Sequence, residues 1–553
     1  MDGQIVIPSG FAKQANLCNN ITDKSVMGEL QNMRKIKIDH RYLCFPAAFS
    51  GMEARLQIFA DQQPVKSLTL WVSPEYTGEK DRPGFMGWID VSAYIGRELV
   101  LEGDMQDEWL DLMYQDDTKP RVKDRGERPQ IHYTASQGWL NDPNGLIVYN
   151  DVYHLFYQYN PFSKSWGNMH WGHATSKNLI DWQEHDPAIA PNRFGVAFSG
   201  CAVTDAENVS GLGCDAIILY YTAYLEGSPS FPESVSTIRR YYSTDHGRSF
   251  KFDENFCLAQ IVPGNRDPKI FYHEESKAWI MVMFLELNEF AILRSDNLNE
   301  WAIAQRFSLE DTWECPDLFS LEDPETHKRH WIFWTGDGYY YIGDFDGYYF
   351  SNISGRKQSS ATPLAYAAQT FFNTANRIIS LSWLRTSNYY SPYTGMMSLP
   401  KELGLRQTES GLVLEQRFVR EICSQLISSA SQTMVDRFDY VHLGGAFQLK
   451  FQIDRGFGPS DPDTAEIDIL EKKLLLDFRN HTCTIGNTVF KLPKKMVMDF
   501  DIFIDYGVIE ILVDEGTRYA ATEYYFSSLT GNIRLAASSG NMFRYIEIND
   551  FIK

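Results

Sequence analysis

Ala174-Thr175-Ser176-Lys177-Asn178-Leu179-Ile180-Asp181-Trp182 is the stretch on which the fold turns, because the chain repeats it. Tyr241-Tyr242-Ser243-Thr244-Asp245-His246-Gly247-Arg248-Ser249-Phe250 echoes it, as does Leu293-Arg294-Ser295-Asp296-Asn297-Leu298-Asn299-Glu300-Trp301. A fainter copy runs from Ile342 to Phe350. Each copy follows an apolar, strand-like run: His154 to Tyr159, Ile217 to Tyr224, Trp279 to Leu285 and Trp331 to Trp334. Ser176, Ser243 and Ser295 stand 67 and 52 residues apart, a spacing that suits one four-stranded sheet per repeat rather than one hairpin. Sheets of that size packed radially make a β-propeller, and the repeat region has room for about five blades.

Working outward, the charged, Pro-containing stretch Asp116 to Pro129 reads as a linker. Before it, Ala54 to Phe59, Ser67 to Val72 and Glu98 to Glu102 have the composition of strands, and the first forty residues read as an appended arm. After the repeats, Phe447 to Ile453, Lys473 to Phe478, Asp501 to Ile504 and Ile509 to Val513 are further strands between turn residues. The expectation is an all-β chain in three parts. Residues 1–120 form a sandwich-like domain, 130–425 a five-bladed propeller and 430–553 a second β-sandwich.

A net charge of −21 excludes a nucleic-acid partner, which needs clustered Lys and Arg. The longest apolar runs are far too short to span a bilayer, and MDGQIVIPSG has neither a basic nor an apolar leader region. The eight cysteines form no CxxC pairs and have no His partners at zinc spacing. Reduced thiols and a cytoplasmic location are expected. The sequons at Asn20, Asn208, Asn352 and Asn480 carry no weight in that setting. No metal or cofactor is expected, and a homo-oligomer stays open.

Three acidic residues sit in unusual contexts in successive repeats. They are Asp142 in Trp139-Leu140-Asn141-Asp142-Pro143-Asn144-Gly145, Asp267 in Asn265-Arg266-Asp267-Pro268, and Glu314 in Trp313-Glu314-Cys315-Pro316-Asp317. Alone, Asn-Asp-Pro-Asn-Gly is a good β-turn. The three together, one per repeat, point instead to a shared pocket at the propeller axis. Cleaving a glycosidic bond with retention needs a carboxylate nucleophile and a protonated carboxyl about 5 Å apart. A third carboxylate can grip sugar hydroxyls.

In this order the motifs resemble glycoside hydrolase family 32, the invertase, inulinase and levanase group. The matching pieces continue through Tyr157-Gln158-Tyr159-Asn160-Pro161, His170-Trp171-Gly172-His173-Ala174, Phe198-Ser199-Gly200, Tyr366-Ala367-Ala368-Gln369-Thr370-Phe371 and Met397-Ser398-Leu399-Pro400. The resemblance implies a five-bladed catalytic propeller followed by a sandwich. It also implies Asp142 as nucleophile, Glu314 as acid/base and Asp267 as the carboxylate that holds fructose and stabilises the transition state. Asn141, Gln158, Trp166, Phe198, Ser199, Arg266 and Trp383 match positions that contact the terminal fructose. Those roles require Asp142 ionised and Glu314 protonated in the free enzyme. Arg266 would keep the neighbouring Asp267 ionised and oriented. His132, His154, His170 and His173 read as structural.

Two loops depart from the family pattern, Asn192 to Ala197 and Leu384 to Tyr393, and they put leaving-group preference in question. The leading domain resembles that of some bacterial levanase-like proteins and favours fructan or fructo-oligosaccharide substrates over sucrose. The resemblance implies release of fructose from chain ends with net retention. The rivals are a family 43 arabinan or xylan hydrolase, a fructosyltransferase or levan fructotransferase on the same site, and a catalytically inactive fructan-binding protein.

Overall fold

Apolar alternation turns almost all of this chain into strands. The computed structural model describes residues 32–47, 52–72, 85–105, 107–120, 128–227, 233–388, 391–456, 463–526 and 528–552. Their only helical pieces are the 3-10 turn Ser92–Tyr94 and two four-residue helices, Asp107–Leu110 and Arg420–Cys423. Most of the expected arm, 1–31, and the centre of the expected linker, 121–127, lie outside the described residues. Asn32–Lys37 belongs to no arm: it is a strand paired with Glu98–Gly103. Asp116 likewise closes a short strand, Tyr114–Asp116, so the linker starts after it.

From residue 138 to 418 the chain forms five antiparallel sheets in sequence order. Their first strands are Gly138–Tyr149, Val196–Asp205, Arg266–His273, Asp317–Glu322 and Ala365–Thr370. The second strand of the third sheet, Ala278–Phe284, is buried at every position. That pattern marks a sheet covered on both faces. One apolar core lies between each pair of successive sheets, and a further core joins the fifth sheet to the first. The chain also closes on itself by pairing. Tyr393–Thr394, downstream of the first two strands of the fifth sheet, runs parallel to Gly138 and Trp139 of the first.

The sequence repeat has a local cause. Ser176, Ser243 and Ser295 each end the third strand of their sheet. Each hydroxyl accepts the N–H two residues on, from Asn178, Asp245 and Asn297, at 3.2–3.3 Å. Three residues past each serine, Leu179, His246 and Leu298 all adopt φ +63°. A side-chain turn of this kind ends the strand and turns the chain toward the fourth.

Behind these sheets, two six-stranded sheets between Leu426 and Phe551 enclose one apolar core, as a β-sandwich does. Ahead of them, a four-stranded and a three-stranded sheet share a smaller core, into which Phe162, from the loop after the second strand of the first of the five sheets, is inserted.

Candidate active site

Asp142 and Asp267 sit where first strands break their ladders, and Glu314 lies in the loop just ahead of the first strand of the fourth sheet. Pairing slips between Leu140 and Pro143, between Phe198 and Gly200, between Arg266 and Lys269, and between Tyr366 and Gln369. Pro143 and Pro268 have no N–H to give the ladder, so they belong at such bulges. The Asn141 to Gly145 segment is therefore not a turn but a bulged stretch inside a buried strand. Asp267, Glu314, Cys315 and Ala367 hold left-handed backbone at φ +61°, +51°, +42° and +50°. Non-glycine residues take that conformation at a cost, and it re-aims their side chains.

The result is one cluster drawn from all five sheets. Ser199 Oγ donates to Asp142 Oδ2 at 2.7 Å. Cys315 N–H donates to Asp267 Oδ2 at 3.1 Å, and its sulfur lies 3.6 Å from that oxygen and 3.7 Å from Asp142 Oδ2. Arg266 donates to Glu314 Oε1 from Nε at 3.1 Å and from a terminal nitrogen at 2.6 Å. Tyr366 O–H donates to Glu314 Oε2 at 2.7 Å. Asp267 N–H donates to Thr222 Oγ1, whose hydroxyl donates in turn to the Ser199 carbonyl. Asp267, Cys315, Ser199, Pro143 and Gln369 are among the residues lining a cleft of about 250 Å³.

Arg266 stands beside Asp267, as expected, and takes Glu314 as a second, tighter partner. Its nearest approach to Asp267 is 3.8 Å, whereas it grips Glu314. Its guanidinium also lies over the Phe284 ring at 4.5 Å. Electrostatics follow this layout. Burial pushes Asp142 above the usual 3.8, Ser199 pulls it back, and Glu314 adds to the rise. Burial raises Asp267 to about 7; the Arg266 charge opposes this, while Glu314 and Asp142 reinforce it.

The remaining anticipated residues ring the cluster. Asn141 accepts from Trp139 Nε1 at 2.8 Å, and Gln158 donates to the Ala197 carbonyl at 2.9 Å. Phe198 stacks on Tyr224 at 4.6 Å, with the Trp166 ring 5.8 Å away. Trp383 packs edge-on to Trp139 and Tyr366. Trp166 and Trp313 stay 57% and 48% exposed, apolar faces suited to a sugar ring beside carboxylates. Tyr366, Cys315 and Thr222 were not singled out from sequence. The first two lie inside the quoted motifs, and Thr222 gave no signal at all.

Histidines take no part in this cluster. His154 and His173 are in contact at 3.1 Å; burial lowers His154 to about 4 and His173 well below 6.5. His132 is bonded to Asp505 and Glu510 of the C-terminal sandwich. Among the described residues no group of three or more His, Cys, Asp or Glu is placed to hold a metal ion.

The two divergent loops lie near the cleft. Asn192 caps its own turn and donates to Tyr221 and Tyr241 at 3.3 Å, directly before the strand carrying Phe198 and Ser199. The other loop binds Glu523 of the sandwich through Ser387 and Asn388; its Tyr389 and Tyr390 lie outside the described residues.

Residues 132–416, more than half of the chain, match the model for the glycosyl hydrolases family 32 N-terminal domain. The chain is 35% identical over 333 residues to the levanase of Bacillus subtilis, covering 54% of this chain and 48% of that protein, so it spans about half the levanase's length. It is 30% identical over 504 residues to the extracellular exo-inulinase of Aspergillus niger, covering 75% of this chain and 93% of that protein. The crystal structure of exo-inulinase from Aspergillus awamori superposes with a TM-score of 0.68 at 25% identity, over 77% of this chain and 98% of that one. A family 32 structure from Bifidobacterium adolescentis shares the fold over 94% of this chain, with a TM-score of 0.64 at 18% identity. This chain belongs to glycoside hydrolase family 32.

Proposed function

We propose that this glycoside hydrolase releases terminal β-fructofuranosyl units from fructans, fructo-oligosaccharides or sucrose, with net retention. The observation that carries the reading is the convergence of Asp142, Asp267 and Glu314 around Cys315, each held by different donors. The sheet order, the cores between successive sheets and the closure by Tyr393–Thr394 support a five-bladed propeller whose axis carries this cluster. Residues 1–120, 130–425 and 430–553 are its three domains.

Asp142 attacks the anomeric carbon and forms the covalent fructosyl intermediate. Ser199 orients it and favours its ionised form. Glu314 protonates the departing oxygen and then activates water. Both Glu314 oxygens accept hydrogen bonds in the free site, and Oε2, which accepts from Tyr366, keeps a second lone pair for the proton. Asp267, raised to about 7, exchanges its proton readily near neutrality and holds ring hydroxyls as charge develops on the sugar. Trp166, Phe198 and Trp383, with Asn141 and Gln158, surround the terminal fructose. The relatives include a levanase and an exo-inulinase, and a site built around the terminal fructose favours a chain end over a chain middle.

The test is Glu314→Ala assayed on levan, inulin, sucrose and a fructoside with an activated leaving group. The loss on the natural substrates should be about 10²–10⁴-fold, and much smaller on the activated one, which needs little protonation. Free fructose should dominate the earliest products of the unmodified enzyme. Equal losses on all substrates overturn the acid role, and oligosaccharides or a difructose appearing first overturn chain-end hydrolysis.

A further inference from the structure

The N-terminal unit reaches the loop that carries Trp166, and it does so through two devices. The first is a clamp. Among the described residues, Gln63–Val72 is the edge strand of the four-stranded sheet, with no strand paired to its outer side. At Thr69 one side chain takes that place: Asn168 Oδ1 accepts the Thr69 N–H at 2.7 Å, and Asn168 Nδ2 donates to the Thr69 carbonyl. Asn168 holds left-handed backbone at φ +45° and follows Gly167 at φ +146°, so the turn bearing Trp166 is set by this anchor.

The second device is a plug. Phe162, fully buried, leaves the catalytic sheets and packs inside the N-terminal core, edge-on to Phe45 at 6.3 Å. The strand below is shaped for it: a Cβ at Gly87 would lie 2.3 Å from the Phe162 ring. The loop between plug and clamp is cross-tied by Asn160, which accepts the Phe162 N–H and donates to the Ser165 carbonyl. At its crest stands Trp166, more than half exposed and 5.8 Å from Phe198, whose neighbour Ser199 binds Asp142.

We infer that the N-terminal unit is a specificity element: through Asn168 and Phe162 it positions the Trp166 ring at the mouth of the site, where that ring packs against the saccharide. Asn168 and Phe162 are positioning residues, since neither touches the carboxylates. An aromatic wall helps only when its plane is fixed beforehand, because ordering a mobile loop consumes binding energy. This inference rests on the fructosidase reading above.

The experiment uses the full chain and an inulin- or levan-derived oligosaccharide beside sucrose. Asn168→Gly removes the clamp without straining the left-handed backbone, and Gly87→Ala displaces the plug. Each should raise KM for the oligosaccharide about tenfold with kcat within about twofold. In a Trp166→Ala background, Asn168→Gly should add nothing further to KM, because its effect runs through that ring. An unchanged KM in Asn168→Gly, or an additive effect in the double variant, overturns the proposal; the latter is what plain destabilisation produces. Absence of any fructoside cleavage by the parent enzyme overturns the reading of the site, and this proposal with it.

Discussion

The two β units that flank the catalytic sheets are attached by different physics. The C-terminal sandwich is joined through an apolar seam, with Phe418 edge-on to Phe503 at 4.7 Å, and through charge buried within it. Asp505 accepts the backbone N–H groups of Gln130, Ile131 and His132 together with a His132 ring nitrogen. Glu510 meets the other His132 nitrogen at 2.8 Å, the Leu399 N–H at 2.6 Å, the Tyr519 hydroxyl at 2.5 Å and Lys401 at 3.3 Å. None of the His132, Asp505, Glu510 and Lys401 side chains is more than 1% exposed. The N-terminal unit is joined through neutral groups, Phe162 and the Asn168 clamp, plus Asp186 paired with Arg41 and Lys119 at the surface. A buried ionic joint is costly to break and fixes one geometry. The neutral joint can yield locally, and it leads to the mouth of the site rather than to the core.

Removing one member of the buried network is the severest way to separate the two joints. Glu510→Ala leaves Lys401 buried without its counter-charge and His132 with Asp505 alone, and should cost about 3–5 kcal/mol in urea unfolding. A loss under about 1 kcal/mol would place this joint in the same class as surface pairs.

A smaller effect comes from titrating the same joint. Burial opposes charge on His132, yet its bonds to Asp505 and Glu510 outweigh this and raise it from 6.5 to about 9. Burial raises Glu510, but Lys401 and His132 bring it from 4.5 down to about 2. The His132 contribution is complete below pH 6.5 and is lost as pH rises through 9. The Glu510 contribution is complete above pH 4.5 and is lost as pH falls through 2. Stability should therefore decline from pH 6.5 to 9, and His132→Gln should flatten that limb. An equal slope in the variant would remove His132 as its source.

Smallest of all should be Asp186→Ala. Its partners Arg41 and Lys119 are 47% and 32% exposed, and solvent screens such pairs, so the change should stay within about 1 kcal/mol. A cost matching Glu510→Ala would erase the contrast between the joints.

What could be read in advance follows the same division between local and distant causes. The Ser176, Ser243 and Ser295 turns are written within a few residues each, so the repeat was visible as text. Asp142, Asp267 and Glu314 stood out because prolines and fixed neighbours surround them. The second partner of Arg266 was not legible. Its guanidinium stays 3.8 Å from Asp267 but donates to Glu314, 48 positions onward, which only the fold brings near. Tyr366 and Thr222 matter only because other sheets bring them beside the carboxylates. The bulge at Asn141 to Gly145 depends on pairing with Tyr157 and Phe156, which a pentapeptide cannot reveal.

The parallel pairing of Tyr393–Thr394 with Gly138 and Trp139 also has a temporal meaning. The strand that bears Asp142 emerges from the ribosome about 250 residues before its outer neighbour, on the order of 10–50 s earlier at ordinary rates of synthesis. Through that interval its edge offers unpaired N–H and C=O groups to any passing strand. The strand of Asp142 is thus both the first piece of the five sheets to be made and among the last to be completed. Nascent chains stopped before Tyr393 should hold all three carboxylates and yet show no activity, because the sheet that aims Asp142 is still open.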